Sequence, residues 1–149
     1  MKHKCLEPAL VLAVFALDRI AKILALRHLI HGPVEVLPFF SLTYVENTGV
    51  AFGMFRDNNA FFIVFSIALV AMLLIFRRKF SGSGPAARAG IALVLGGALG
   101  NLYDRLACGF VVDFFDLSFF PAVFNTADSA ITGGAVLLAI GINRGANSK

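Results

Sequence analysis

The 149-residue chain is 58% hydrophobic and 15% charged, with a mean hydropathy of +0.83 and a formal net charge of +4. A water-soluble domain is about 45–50% apolar and about 25% charged, so so short a chain cannot bury its apolar surface in an aqueous core and must use lipid as solvent for much of it. The basic excess sits in short tracts between apolar runs, which excludes a nucleic-acid-binding patch and reads as topology signals.

Residues 8–26 form the first predicted membrane span. Met1 to Lys4 followed by an apolar stretch resembles a secretory signal peptide, but Asp18, Arg19 and Lys22 stand where a cleavage region needs small neutral residues, so a retained helix is expected. A charge at mid-helix costs about 2.5–3.5 kcal/mol on the insertion scale. These three must therefore be paired, displaced toward the surface or turned toward protein. Asp18 and Lys22, four residues apart, can pair on one helix face; for Lys22 a structural ion pair or a snorkelling position stands beside any direct role. The connection over 27–59 is long enough to need structure of its own. Val36, Phe39, Phe40, Leu42 and Tyr44 predict short strands, or a sheet-like flap lying on the membrane, between Val34 and Val45.

The second span, 60–76, is an uninterrupted uncharged run. Arg77, Arg78, Lys79 and Arg88 follow, around a Gly82-Ser83-Gly84-Pro85 turn, with Lys2 and Lys4 before the first span and Arg144 and Lys149 after the last. The positive-inside rule then places both termini and the middle loop in the cytoplasm, and the connections 27–59 and 107–123 outside. Cys5 and Cys108 fall on opposite sides, so no disulfide is expected between them. In the third span, 89–106, Gly96 and Gly100 make a small-xxx-small face for close helix approach. Asn101, Asp104 and Arg105 give its outer end a polar face that should point into the bundle.

Asp113 lies in a phenylalanine-rich stretch of the second outer connection, with Asp116 three residues on, and Phe124-Asn125-Thr126-Ala127-Asp128 opens the fourth span, 124–142. Asn125 and Asp128 have capping-box spacing, so Asp128 is either a helix cap or a functional acid. Asp113 and Asp128 both fall near the outer surface. Two carboxylates held close in a low-dielectric wall cannot both ionise cheaply and share one proton. One can then act as general base on a water while the other protonates the scissile carbonyl, as in aspartic proteases. The helix N-terminus favours the ionised form at Asp128, which points toward Asp113 as the carrier of the shared proton, although the sequence alone leaves open which acid holds it. His28 and His31 lack a metal-binding pattern, Cys108 has no fixed histidine partner, no serine is spaced beside Lys22, and phosphate-cradling glycine loops are absent. A proton or ion carrier with an intramembrane acid relay is the non-enzymatic alternative.

Five motifs in order, Asp18-Arg19-Ile20-Ala21-Lys22, Glu46-Asn47-Thr48-Gly49-Val50-Ala51-Phe52-Gly53, Gly96 to Arg105, Val111-Val112-Asp113-Phe114 and Phe124 to Ser129, resemble those of bacterial lipoprotein signal peptidases, the signal peptidase II family. The resemblance implies a mainly α membrane protein, one peptidase domain over 1–149. It would have four transmembrane helices, with a small extracytoplasmic β-cradle and a short surface helix in the first outer connection. It further implies an aspartyl endopeptidase of the bacterial inner membrane, monomeric among membrane lipids and without metal, cofactor or nucleic acid. Such an enzyme removes the signal peptide of diacylglyceryl-modified prolipoproteins, cutting N-terminal to the lipidated cysteine. Carried over by motif, Asp113 and Asp128 are the catalytic dyad, and Asp18, Lys22, Asn47, Gly49, Asn101, Asp104, Arg105, Asn125 and Ala127 shape and support the site. The chain departs from the family pattern in a shorter link between Asp113 and Asp128, in Val50 where alanine is frequent, and in lacking Trp.

Overall fold

Small residues decide how the helices meet. The computed structural model describes residues 6–49, 58–80 and 84–147, which form α1 (Leu6–His28), β1 (Val34–Leu37), β2 (Phe40–Asn47), α2 (Asn59–Phe80), α3 (Gly84–Ala107), β3 (Val111–Leu117) and α4 (Thr126–Asn147). Helix α3 packs against α1, α2 and α4. Half of its residues are buried, at positions spread around the helix rather than along one stripe, as expected of the helix that three others pack against.

Gly90 and Gly97 let α4 come so near that an added Cβ would lie 2.5 Å from the carbonyl oxygens of Gly134 and Ala127 respectively. Gly134 and Gly141 mirror them from α4, against Gly90 and Ala87. The expected small-xxx-small pair, Gly96 and Gly100, faces α1 instead, against Val14 and Asp18. Two glycine faces thus clamp α3 between α1 and α4; the one toward α4, with glycines seven residues apart, was not read from the sequence.

Among the described residues α2, α3 and α4 are long and apolar enough to cross a membrane, while α1 misses that standard because Asp18, Arg19 and Lys22 interrupt it. At about 1.5 Å per residue, a helix of 22–24 residues is somewhat longer than the roughly 30 Å hydrocarbon layer. Helices α1, α2 and α3 overrun the spans read from the sequence at both ends, and α4 starts two residues later than read but runs on to Asn147, because backbone hydrogen bonding continues into polar ends.

The sheet corrects one expectation. It is three-stranded and antiparallel in the order β1-β2-β3, so it is not confined to the first outer connection: β3, from the second, pairs with β2. Val45 stands opposite Asp113 and Asn47 opposite Val111. Val112 and Phe114 of β3 bury against Ala25 and Leu29, which seats the sheet on the end of α1. Gly109, at φ 84, makes the left-handed turn that ends α3 and starts the approach to β3. A bridge between Phe115 and Phe124 ties β3 to the residues that enter α4. Cys108 is a free, exposed thiol; Cys5, Val50 and the expected short surface helix beyond Gly49 lie outside the described residues.

Gly97→Ala is expected to destabilise the fold by about 1–3 kcal/mol through overpacking against Ala127 and Ile131. Gly133→Ala, whose new methyl would meet nothing within 4 Å, should be neutral or stabilising by up to about 1 kcal/mol. Thermal unfolding of both variants in one detergent checks the order.

Candidate active site

The site begins with a buried cation. Lys22, 1% exposed, places its Nζ 2.9 Å from Asp18 Oδ2, 2.9 Å from Asp104 Oδ2 and 2.8 Å from Asn101 Oδ1, to which it donates. Arg19 pairs with the other oxygen of Asp104 and lies over the Tyr103 ring. Asp104 also accepts from the backbone N–H of Val112 at 3.2 Å, so the acid that neutralises α1 holds β3 in place as well.

Asp18 reaches across the bundle to α4. Its Oδ1 accepts the Ala127 N–H at 3.0 Å, satisfying one of the donors that every helix start leaves open. Gly100 makes room, since a Cβ there would lie 2.5 Å from Asp18 Oδ2. Ala127 is wholly buried, which leaves no space for a larger side chain.

Asn125 and Asp128 complete that helix start. The Asp128 N–H donates to Asn125 Oδ1 at 2.9 Å, and the Asn125 N–H donates to Asp128 Oδ2 at 3.2 Å, a reciprocal capping box. The cap and the functional acid were posed as alternatives, yet one oxygen of Asp128 serves the cap and the other, Oδ1, accepts from Asn101 Nδ2 at 2.8 Å. Asn125 Nδ2 donates to Asp113 Oδ1 at 2.6 Å and to Asn101 Oδ1 at 3.2 Å. Asp113 Oδ2 accepts from Asn47 Nδ2 at 2.7 Å. Both acids are thus held through a single asparagine side chain and its backbone.

Asp113, Asp128, Asn47, Gly49 and Arg105 line one cavity of about 480 Å³, walled by Phe61, Phe62 and Phe65 of α2. Arg105 donates from Nη2 to the Gly49 carbonyl at 3.2 Å and lies 4.4 Å over the Phe62 ring. Gly49 in turn donates its N–H to Asn47 Oδ1 at 3.0 Å, closing a tight turn after β2. Burial, and after it the nearby charge of Asp128, pushes the Asp113 carboxyl up to about 7. Asp116 stays on the sheet beside Thr43, and His28 lines a separate apolar cavity with Phe114.

Asp18, Lys22, Asn47, Gly49, Asn101, Asp104, Arg105, Asp113, Asn125, Ala127 and Asp128 lie in this cavity or in the hydrogen-bonded lattice behind it. Arg19, read from the sequence as a charge in need of a partner but not as a site residue, joins the lattice through Asp104; sequence reasoning missed Phe62 and Asn59, whose Nδ2 donates to the Arg105 carbonyl at 3.0 Å. Nothing in the spacing points to Phe62 or Asn59.

Two carboxylates in one cavity, joined through one asparagine and with one acid titrating near neutrality, are the chemical equipment of an aspartic peptidase. The family model for signal peptidase (SPase) II matches residues 10–144. A lipoprotein signal peptidase of Caldanaerobacter subterraneus subsp. tengcongensis is 45% identical over 136 residues, 87% of this chain and 92% of the relative. That of Symbiobacterium thermophilum is 42% identical over 138 residues, 87% and 90% of the two. A solved structure described as a bacterial membrane enzyme, obtained by the in meso method at 2.3 Å, superposes with a TM-score of 0.84 at 31% identity, covering 96% of this chain and 90% of the other. The chain belongs to the signal peptidase II family.

Lys22→Met should destabilise the protein by about 3–5 kcal/mol, because it leaves Asp18 and Asp104 buried without their shared cation. Adding Asp18→Asn to it should recover part of that loss. Thermal unfolding of the single and double variants in detergent measures both effects.

Proposed function

We propose that this chain removes the signal peptide of diacylglyceryl-modified prolipoproteins, hydrolysing the peptide bond N-terminal to the lipidated cysteine, with Asp113 and Asp128 as the acid–base pair. The observation that carries the reading is the Asn125 bridge, which holds both acids at the wall of one cavity. Asp128, fixed at a helix N-terminus that favours negative charge, takes a proton from water as the water oxygen attacks the scissile carbonyl carbon. Asp113 gives its proton to the carbonyl oxygen. As the resulting diol collapses, the C–N bond breaks, the proton on Asp128 passes to the departing amine, and a diol hydroxyl returns its proton to Asp113. The pair ends as it began, with one proton between two carboxylates.

The whole chain, 1–149, acts as one monomeric peptidase domain in the inner membrane, crossing it four times with both termini cytoplasmic and the site near the outer face. Helix α1 can be the fourth span despite its charges: Asp18 and Lys22 are buried, whereas Leu12, Leu17, Ile20 and Leu24 are exposed and can meet lipid. The sheet then forms a cradle at the outer surface. A dyad at that boundary meets water while the substrate helix unwinds outside hydrocarbon, where its freed backbone groups can be solvated.

Asp113→Asn and Asp128→Asn should each lower cleavage of a lipidated prolipoprotein by at least about 10²–10⁴-fold while the protein stays folded. Full processing by either purified variant refutes the assignment, and substrate bound but uncut by the wild-type chain identifies a silent binder. Because Asp113 holds its proton below about 7 and loses it above, kcat/KM should fall about tenfold per pH unit as pH rises beyond neutrality. A profile still rising there contradicts the shared-proton mechanism.

A further inference from the structure

Asp128 borders two cavities. The first is the one of about 480 Å³ described above. The second, about 430 Å³, opens on the other side, between α4 and the loop after β3, and is lined by Leu117, Phe119, Thr132 and Gly133. Phe120 and Phe124 belong to both, and their rings meet edge to face at 5.9 Å, so this aromatic pair is the shared wall. Each volume lies in the range of a ligand site, about 300–1,000 Å³.

The two sides differ in chemistry. On the α2 side Arg105, only 8% exposed, has a buried Nη1 without a hydrogen-bond partner among the described residues. A buried guanidinium N–H left in that state costs free energy until an acceptor arrives, and a substrate ester or peptide carbonyl can supply one. The rest of that wall is aromatic, with Phe61 and Phe65 stacked 6.4 Å apart on the most apolar helix of the protein, Phe65 being 58% exposed. Among the described residues the α4 side is lined by no cation: its hydroxyls are those of Thr132 and of Ser129, which already donates to the Asn125 carbonyl at 3.0 Å, so it has no counterpart of Arg105 to offer ester oxygens. Its floor is small and open: Ser129 and Gly133 are four residues apart, and a Cβ on Gly133 would meet nothing within 4 Å. A helix satisfies its own backbone and can settle closely on such a surface.

We infer that the Phe120–Phe124 wall divides the substrate: the signal helix lies in the α4 cavity on Ser129 and Gly133, and the diacylglyceryl-cysteine lies in the α2 cavity between Arg105 and Phe65. The inference rests on the dyad reading above and deepens it. The scissile bond then crosses the wall beside Asp128, and the acyl chains leave toward lipid along α2. Gly133 and Phe65 become specificity-determining positions for opposite ends of one substrate.

The test uses the full-length chain in lipid–detergent micelles and four synthetic lipopeptides, which combine palmitoyl or hexanoyl chains with a complete or truncated signal helix. Gly133→Leu fills the α4 cavity and should lower kcat/KM about tenfold for substrates with the complete helix, with little effect on truncated ones and no dependence on acyl length. Phe65→Ala should erase the preference for palmitoyl over hexanoyl chains and leave the helix dependence intact. Thermal unfolding of both variants shows that the fold persists. Exchanged dependences, or variants indifferent to both features, overturn the division while the dyad reading stands. If the wild-type chain cuts none of the four, both readings fall together.

Discussion

One ammonium group organises this protein. Lys22 Nζ touches Asp18, Asp104 and Asn101, and each contact leads elsewhere: Asp18 to the start of α4, Asp104 to β3, Asn101 to Asp128 and Asn125. Charged groups inside a bundle are expensive unless paired and hydrogen-bonded. The cluster meets that condition collectively. Lys22, Arg19 and Arg105 supply three positive charges, and Asp18, Asp104, Asp113 and Asp128 can supply four negative ones. The set is neutral when it holds a single proton, which is the protonation state that an acid–base pair needs at neutral pH. On the proposed mechanism the proton shared by Asp113 and Asp128 is fixed by the count of surrounding charges as much as by the two acids being near each other.

The second device is rigidity at a helix end. Helix α4 starts under two side-chain caps, Asn125 from its own chain segment and Asp18 from α1, and Asp128 sits in that first turn. Functional groups on capped, packed elements hold their geometry better than groups on loops. Asp113 gains the same advantage from the sheet register that sets it opposite Val45, and from two asparagine donors, one on β2 and one at the cap. Close packing of Gly97 on Ala127 carries the restraint into the bundle.

Much of this was legible in the chain itself, for a physical reason: lipid makes every polar residue conspicuous. Asp18, Lys22, Asn101, Asp104 and Arg105 stood out against apolar spans, and all of them lie in or behind the cavity. Strands were foreseen over 34–45, where apolar residues crowd a long connection. The third strand was not, because Val111–Leu117 is a short run whose pairing with β2 is set by tertiary contact. The glycine spacing on α3 was read for one neighbour, while seven-residue intervals serve another. Phe62 and Asn59 were hidden by being ordinary residues of an apolar helix start.

The sheet joins segments made far apart in time. β2 is complete before α2 begins, yet its partner β3 follows α3, and the two acids arrive only at positions 113 and 128. A nascent chain that ends at α3 therefore carries neither acid and leaves one edge of β2 bare, a surface prone to stray pairing. On the proposed roles of Asp113 and Asp128, proteolytic competence waits for the last helix, so a half-made molecule cannot cut its neighbours where it is assembled.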